Sequence, residues 1–572
     1  MEEYHIMEDF ILMNNRKEFD WLNENSRLFL SRGYLPEGQS PEERLRVISD
    51  RAEEILGIKG FSDKFYGYLG KGYYSLSSPV WSNFATERGL PISCFGSHIS
   101  DDIGSILHTA SEVGTMSKLG GGTSGYFGEL RGRGASIQDN GKSSGAVHFV
   151  KLFEQITDII SQGGVRRGRF SPYLPIDHPD IEEFLEIGKE GNDIQDVNHA
   201  VTVTDSWMIQ MIGGDRDKRA IWAKVLQSRV EMGYPYIFFT DTVNNNKPEW
   251  YKDYAITHSN LCSEIALPDN DRWSFVCNLS SMNALHFDEW KDTDAVETMI
   301  FFLDAVMTEF IEKLEAYRDS ESLDKRQIFT FMEKAYTFAV ENRALGLGVL
   351  GWHSLLQSQM IPFESVEASL LNEQIFKTIQ ERSTVATKEL AKMFGEPLVM
   401  KGTGRRNATL AAVAPTTSSA FILGQVSQSI EPIWSNNYVK DVAKVKTTIK
   451  NQYLEELLEK YGKNNRETWI DIQNHDGSVQ HLDYLTQNEK DVFKTFSEIN
   501  QYEIINQASV RQRYIDQGQS LNIMINPKTS TKELNELHLY AWENGIKTLY
   551  YQHTTSAAQE FYRSAVCLAC EA

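Results

Sequence analysis

The stretch HSNLCSEIALP at 258–268 places a thiol between an amide and a carboxylate. If this stretch is extended, residues two apart point to the same face, so Asn260, Cys262 and Glu264 share that face. A thiol can give up and recover a hydrogen atom, and a carboxylate beside a hydroxyl is a natural general base. The stretch therefore predicts a reactive trio. A small buried cysteine in an edge strand is the inert alternative.

The other four cysteines fall into two pairs. Five cysteines in 572 residues are too few for a disulfide scaffold. Cys94 and Cys277 lie in separate apolar segments, whereas Cys567 and Cys570 form a C-x-x-C pair next to the end of the chain. A structural zinc site usually needs four ligands, so this spacing favours a redox pair that exchanges disulfides, with an inert tail as the alternative.

Several segments have the composition of phosphate-binding loops. Gly-rich 117–137 carries Arg131, and 161–171 carries Arg166 among its arginines. In 406–421 an apolar strand ends before a run of hydroxyls at the start of a helix, where anions bind, with ordinary helix capping as the alternative. Pro415 ends the strand, and the run comprises Thr416, Thr417, Ser418 and Ser419. The sequence GLGVLG at 346–351 matches G-x-G-x-x-G but follows a helix, which argues against a dinucleotide site.

Composition limits the function classes. The net charge of −22 argues against general affinity for nucleic acids or anionic membranes. The apolar runs are shorter than a membrane span, and the acidic start MEEYHIMEDF lacks the pattern of a secretory signal. These features predict a cytoplasmic protein.

Helices and strands of a large α/β core must position these residues. Residues 1–90 are predicted to be mostly helical, with one helix starting at Ser40-Pro41. From 91 to 555, short apolar strands alternate with helices such as 291–316 and 368–394, which indicates a largely parallel core. The charged segment 440–500 is predicted to be a helical excursion, and 556–572 a flexible tail.

These motifs together resemble the large, catalytic subunit of class I ribonucleotide reductase. SNLCSEIALP, GGVRRG, APTTSSAF…SIEP, GIKTLYYQ and the terminal cysteine pair appear in the order of that family. The resemblance implies a ten-stranded α/β barrel with a helical N-terminal region and a flexible C-terminal tail. It also implies reduction of ribonucleotides, and of diphosphates in particular, to 2′-deoxyribonucleotides by a thiyl-radical mechanism.

The resemblance implies a role for each cysteine. Cys262 would be the thiyl radical that abstracts the ribose 3′-hydrogen, Glu264 the base for the 3′-hydroxyl, and Asn260 a hydrogen-bond partner of the sugar. Cys94 and Cys277 would supply the reducing equivalents and become a disulfide. The tail pair Cys567 and Cys570 would re-reduce it and be reset by a thioredoxin- or glutaredoxin-like partner.

The resemblance also implies how the radical arrives. Tyr550 and Tyr551 match a tyrosine pair that passes the radical to the active-site cysteine. The radical would originate in a separate small subunit with its own metal cofactor, so no metal or other cofactor is expected in this chain.

Binding residues follow from the same resemblance. The expected substrate-binding residues are Ser78, Ser93, Gly121, Gly122 and the run Pro415, Thr416, Thr417, Ser418 and Ser419. Asp101, Arg131 and Arg166 are expected to bind a deoxynucleotide or ATP effector that sets specificity at a homodimer interface. Gln138 stands where some relatives have a second arginine. The basic-Asp-Gly signature of an N-terminal ATP-binding regulatory domain is not seen in the sequence, so overall on/off control by such a domain is not expected.

Two other functions compete with this one. An adenosylcobalamin-dependent reductase would form its thiyl radical without a small subunit. A non-catalytic nucleotide-binding regulator descended from such an enzyme is the less favoured alternative, because it would not need Cys94, Cys277 and the whole trio.

Overall fold

The computed structural model describes residues 18–138, 141–162, 168–442, 445–526 and 528–554. Strands are numbered β1–β13 in chain order. They span Tyr74–Leu76, Cys94–Ser97, Gly122–Tyr126, Phe170–Pro175, Ala200–Val203, Tyr236–Phe239, Phe275–Asn283, Leu345–Leu350, Asn437–Val442, Val445–Lys450, Ile523–Ile525, Thr548–Leu549 and Gln552–Thr554.

Helices alternate with these strands along most of the described chain. They span Glu24–Leu30, Pro41–Leu56, Phe61–Gly70, Ser78–Asn83, Ile103–Lys118, Ala146–Ile159, Ile181–Phe184, Asp205–Ile212, Arg216–Met232, Thr240–Asn245, Phe287–Trp290, Ala295–Arg318, Leu323–Asn342, Trp352–Ser358, Val366–Phe394, Thr417–Ile422, Gln452–Lys460, Arg466–Asn474, Gln487–Val492, Gln501–Gln512 and Thr531–Glu543. No helix of the described ranges is both long and apolar enough to cross a membrane.

The strands close into a barrel made of two halves. In the first half β2, β3, β4, β5 and β6 are parallel neighbours. In the second half β7 and β8 are parallel, and parallel bridges join Leu347 to Ala411 and Val413 to Gln519. Antiparallel pairs β2·β7 and β6·β12 join the halves, and Tyr550 N donates to Leu521 O to complete the ring. Five extended segments in each half confirm the ten-stranded barrel.

The N-terminal helices pack on the outside of this barrel. Ser40 begins the helix Pro41–Leu56 with a capping box, because its hydroxyl accepts from Glu43 N and its own N–H donates to the Glu43 carboxylate. Phe65 of the next helix stacks on Phe302 of Ala295–Arg318 at 4.3 Å between ring centroids. The predicted helices over 291–316 and 368–394 are present as Ala295–Arg318 and Val366–Phe394.

One local prediction is wrong, and one glycine motif has a structural role. The excursion at 440–500 begins with an antiparallel hairpin, β9 and β10, before its helices. Charged residues conceal this hairpin in the sequence because lysines are common on exposed edge strands. Gly346 and Gly348 of GLGVLG lie within strand β8: a Cβ on Gly346 would be 2.4 Å from the Leu279 side chain, and one on Gly348 would be 2.6 Å from Ala412 O. They allow close packing of barrel segments.

Candidate active site

The stretch around Cys262 is a loop, so the extended conformation considered for it from the sequence is not formed. Ser263 has a φ of 67°, and its N–H donates to Asn260 O at 3.3 Å, which makes a turn through Cys262. The turn still brings the two polar partners together, because Asn260 Nδ2 donates to Glu264 Oε1 at 3.0 Å. The residue pattern identified the partners, but a folded loop rather than a shared strand face joins them.

The barrel wall holds this loop from opposite sides. Tyr173 of β4 donates its hydroxyl to Asn260 O at 2.7 Å. From the second half of the barrel, Gly518 N donates to Glu264 O at 2.8 Å. On the β3 side, Leu261 packs against Gly122: a Cβ added to Gly122 would lie 3.0 Å from the Leu261 side chain. The loop therefore passes through the barrel interior, where β3, β4 and the segment around 518 surround it.

Glu264 is a buried carboxyl group with two hydrogen-bond donors. Its side chain is 1% exposed, and Ser520 Oγ donates to Oε2 at 3.1 Å while Asn260 donates to Oε1. Burial raises its pKa to about 7, and the hydrogen bonds partly offset this by favouring the carboxylate. A carboxyl group with such a pKa can take and return a proton near neutral pH.

Cys94 and Cys277 face each other across β2 and β7. The register of this antiparallel pair places them directly opposite. Cross-strand residues have Cα atoms about 4.5 or 5.5 Å apart, within the range of about 4.4–6.8 Å found in disulfides. Cys277 is 1% exposed and Cys94 is half-buried. The two thiols can thus form a disulfide without a large backbone movement.

Gln517 connects this cysteine pair to the Cys262 loop. Its amide nitrogen lies 3.3 Å from Cys277 Sγ, and its Oε1 accepts from Ala266 N at 3.2 Å. Burial raises the pKa of the Cys277 thiol well above its usual value, so the protonated form is favoured. Sequence reasoning missed Gln517 and Ser520, because each contacts residues more than 200 positions away in the chain and neither belongs to a recognisable motif.

Tyr550 and Tyr551 lie in contact at the break between β12 and β13. Their rings meet edge-to-face with centroids 4.4 Å apart, although neighbours in an ideal strand point to opposite faces. Cys262 and Tyr551 pack against the same buried aromatic cluster, of which Tyr550 and Tyr236 are members. The predicted tyrosine pair and the predicted active-site cysteine thus pack around one aromatic cluster.

Further tyrosines that the sequence did not single out surround this pair. The Tyr236 ring contacts those of Tyr550 and Tyr551 at centroid distances of 4.6 and 5.1 Å, and Tyr234 lies 5.2 Å from Tyr551. Asn198 Nδ2 donates to the hydroxyls of both Tyr236 and Tyr551, at 2.8 and 2.7 Å. These contacts fix the ring positions within the barrel.

The predicted phosphate loop opens into a large cavity beside the tyrosines. Pro415, Thr417, Tyr550 and Tyr551 all line this cavity of about 1740 Å³. The helix Thr417–Ile422 starts here, and Thr416 before it has a φ of 47°. The hydroxyls of this loop have hydrogen-bond partners. Thr416 Oγ1 accepts from Ser429 N, Thr417 donates to Gln428 Oε1, and Ser419 donates to Leu76 O at 3.4 Å. Ser418 is buried.

The other predicted substrate residues lie around β2 and β3. Gly122 N donates to Ser93 O at 2.7 Å, which places Ser93 beside Cys94 and Gly122. A Cβ on Gly121 would be 2.7 Å from the Phe95 side chain, so this position needs glycine. Ser78 begins the helix Ser78–Asn83, directly after β1.

Two of the three predicted effector residues form an ion pair. Arg131 Nε donates to Asp101 Oδ2 at 2.7 Å, and each side chain is about one-third exposed. Arg131 also donates to Ser136 O, and nearby Gln138 has a φ of 29°. Arg166, and the tail cysteines Cys567 and Cys570, lie outside the described residues.

One cluster with metal-ligand residue types occurs away from the cysteines. Within the described ranges, ligand atoms of Asp471, His475 and His481 lie within 4.8 Å of one another. The sequence prediction named no metal ligands. Asp471 lies in the helix Arg466–Asn474 and His475 directly follows that helix, and this spacing of four positions was the available signal.

Comparison with known proteins decides the family. The model of the ribonucleotide reductase barrel domain matches residues 92–216, 210–399 and 398–552. The chain belongs to the ribonucleotide reductase family. It is 52% identical to the class Id ribonucleotide reductase alpha subunit of Actinobacillus ureae, with a TM-score of 0.88, covering 95% of this chain and 99% of that one.

Viral proteins are also similar to this reductase chain. It is 35% identical to a putative ribonucleoside-diphosphate reductase large subunit of Frog virus 3, over 88% of this chain and 90% of that protein. It is 32% identical to the large subunit of Invertebrate iridescent virus 3, over 91% and 92% of the two chains. These relatives confirm the predicted family, barrel fold and reductase activity. They support a class I large subunit and count against the adenosylcobalamin-dependent and non-catalytic alternatives.

Proposed function

We propose that this chain reduces ribonucleoside diphosphates to 2′-deoxyribonucleoside diphosphates, with Cys262 as the residue that removes the 3′-hydrogen. The observation that carries this proposal is the convergence, inside one barrel, of Cys262, the Asn260–Glu264 pair and the facing thiols of Cys94 and Cys277. The diphosphate follows from the relatives named as ribonucleoside-diphosphate reductases.

The proposed reaction balances with these groups alone once Cys262 carries a radical. The Cys262 thiyl takes the 3′-hydrogen atom, and Glu264 accepts the proton of the 3′-hydroxyl. The 2′-hydroxyl leaves as water with a proton from the cysteine pair. Cys94 and Cys277 supply two electrons and two protons in total, one proton to the departing water and one hydrogen to C2′, and become a disulfide. Glu264 returns its proton to the 3′-oxygen, and Cys262 returns a hydrogen atom to C3′.

The radical must come from outside the described chain. We propose that a small subunit with a metal cofactor generates it and that Tyr551 and Tyr550 pass it to Cys262. The close tyrosine contact and the shared packing with Cys262 support this order. Cys567 and Cys570 would re-reduce the Cys94–Cys277 disulfide and would themselves be reset by a thioredoxin- or glutaredoxin-like protein.

Binding and regulation complete the proposal. Ser78, Ser93, the glycines of β3 and the 415–419 run would hold the substrate. Asp101, Arg131 and Arg166 would bind a deoxynucleotide or ATP effector at a homodimer interface. The chain would divide into a helical N-terminal region at 1–90, a catalytic barrel at 91–555 and a redox tail at 556–572. A cycle that depends on thiols needs a reducing compartment, so we place it in the cytoplasm of a cell or of a viral host.

We expect the pH dependence of turnover to report the Glu264 carboxyl. Because its pKa is raised to about 7 and the base must be ionised, kcat/KM should fall as the pH drops below about 7. In Ser520→Ala the carboxylate loses a donor, so the midpoint of this fall should move to higher pH. A pH–rate profile measures both. An unchanged midpoint in Ser520→Ala would contradict the assignment of this limb to Glu264.

A single turnover tests the proposed roles of the cysteine pair. Incubation with a ribonucleoside diphosphate and the small subunit, without external reductant, should convert Cys94 and Cys277 to a disulfide. In a variant with Cys567 and Cys570 replaced by serine, two alkylatable thiols should be lost for each deoxynucleotide formed. Peptide mass spectrometry should identify them as Cys94 and Cys277. Product formation with both thiols still alkylatable would refute the proposal.

A further inference from the structure

A second recess lies on the outside of the barrel, and none of its lining residues belongs to the Cys262 loop. It measures about 500 Å³, and its lining includes Trp250, Ser383, Arg405, Arg513, Asp516 and Lys547. Ligand pockets in proteins usually have volumes of about 300–1,000 Å³, so this recess can hold a small molecule. None of its lining residues belongs to the predicted substrate or effector sets.

The charge of this recess is opposite to that of the whole chain. Lys247, Arg405, Arg513 and Lys547 line it, and Asp516 is the acidic residue of the lining, whereas the chain as a whole carries −22. The Asp516 carboxylate already accepts from Leu410 N at 2.8 Å and from Ala411 N at 2.9 Å. It is therefore engaged by the backbone and offsets the four cations only in part.

Several donors at the recess lack protein partners. Ser383 is 1% exposed, and its hydroxyl has no hydrogen-bond partner among the described residues. Arg405 Nε is likewise without one, and its guanidinium is held over the Trp250 ring at 4.7 Å. Arg513 is exposed and forms no ion pair with any residue that the structure describes. Unsatisfied buried polar groups are uncommon in folded proteins, and the two at this recess, together with the exposed Arg513, indicate a ligand.

We propose that this recess binds a small phosphate-bearing anion, with a pyrophosphate-like group between Arg405 and Arg513. Guanidinium groups match phosphate oxygens in shape and charge, and the Ser383 hydroxyl can donate to a third oxygen. The site is separate from the proposed substrate and effector sites and does not depend on the proposed reaction.

The recess adjoins the catalytic core through two consecutive residues. Lys547 Nζ donates to Asp516 O at 3.0 Å and to Gln517 O at 2.9 Å. The Gln517 side chain in turn contacts Cys277 Sγ. An anion held by Arg405 and Arg513 would thus lie beside the segment that supports the cysteine pair.

Calorimetric titration of the full chain with inorganic pyrophosphate tests the site directly. The test variant is Arg513→Gln and its matched control is Arg466→Gln. Each removes one exposed arginine that forms no ion pair with a described residue, but only Arg513 lines the recess. Loss of one charge-assisted contact should weaken binding about ten- to hundredfold in Arg513→Gln. Ser383→Ala should also weaken binding, and Arg466→Gln should bind as the wild type does.

Two outcomes would overturn the proposal. One is the absence of saturable pyrophosphate binding to the wild type. The other is equal affinity in wild type, Arg513→Gln and Ser383→Ala, which would place the bound anion elsewhere. Because the readout is binding rather than turnover, either result leaves the proposed reductase chemistry untouched. An unchanged thermal unfolding midpoint in Arg513→Gln shows that lost binding is not lost folding.

Discussion

Cys262→Ser is expected to abolish deoxynucleotide formation, with a loss of at least about a thousandfold in turnover. The serine O–H bond is too strong for the hydroxyl to serve as the hydrogen-atom carrier, whereas the thiol can give up and recover a hydrogen atom. Serine keeps the hydrogen bond from Ser520, because that bond goes to the backbone oxygen of residue 262. The rate is measured with saturating substrate and small subunit.

Folding and binding controls separate this effect from damage to the barrel. Cys262 is half-buried and serine is nearly isosteric, so the free energy of unfolding should change by about 1 kcal/mol or less. Substrate affinity, measured by equilibrium dialysis, should stay close to that of the wild type. Turnover of Cys262→Ser within tenfold of the wild-type rate would show that another residue removes the 3′-hydrogen.

Tyr551→Phe should reduce turnover that depends on the small subunit by at least about a hundredfold. Phenylalanine keeps the ring that packs against Tyr234, Tyr236 and Tyr550 but lacks the phenolic hydrogen that a tyrosyl radical must lose. It also removes the hydroxyl that accepts from Asn198. Steady-state assays with a fixed excess of small subunit measure the loss.

Tyr234→Phe is the matched control for this substitution. Tyr234 contacts the same Tyr551 ring at 5.2 Å but is not a proposed radical carrier. Its variant should keep turnover within about threefold of the wild type. If both variants lose activity to the same degree, the effect arises from packing of the aromatic cluster, and the assignment of Tyr551 to radical transfer fails.

Sequence reasoning singled out the residues of the proposed site but not the backbone that joins them. Asn260 and Glu264 do contact each other, but an extended stretch was considered for them, whereas the positive φ of Ser263 shows a turn. Period-two patterns in short mixed stretches do not distinguish a strand from a folded loop. The positive φ is unusual for a serine and is held by contacts with the barrel wall, which no local pattern encodes.

The contacts that complete the site arise from the closure of the barrel. Gln517 and Ser520 reach the Cys262 loop from a segment that pairs with its neighbours through an isolated bridge and a few backbone hydrogen bonds. Likewise, the contact between Tyr550 and Tyr551 depends on the break between β12 and β13. The cysteine pair was more readily predicted, because the resemblance supplied its role and the β2·β7 register then placed the thiols opposite each other.

The most direct test of the account is reduction of the four ribonucleoside diphosphates, with dithiothreitol, in the presence and absence of a class I small subunit. We predict deoxynucleotide formation by the wild-type chain that requires the small subunit and is not restored by adenosylcobalamin in its absence. Product formed with adenosylcobalamin alone would contradict the tyrosine route to Cys262. Lack of product from di- and triphosphates with an active small subunit would contradict the proposed reaction itself.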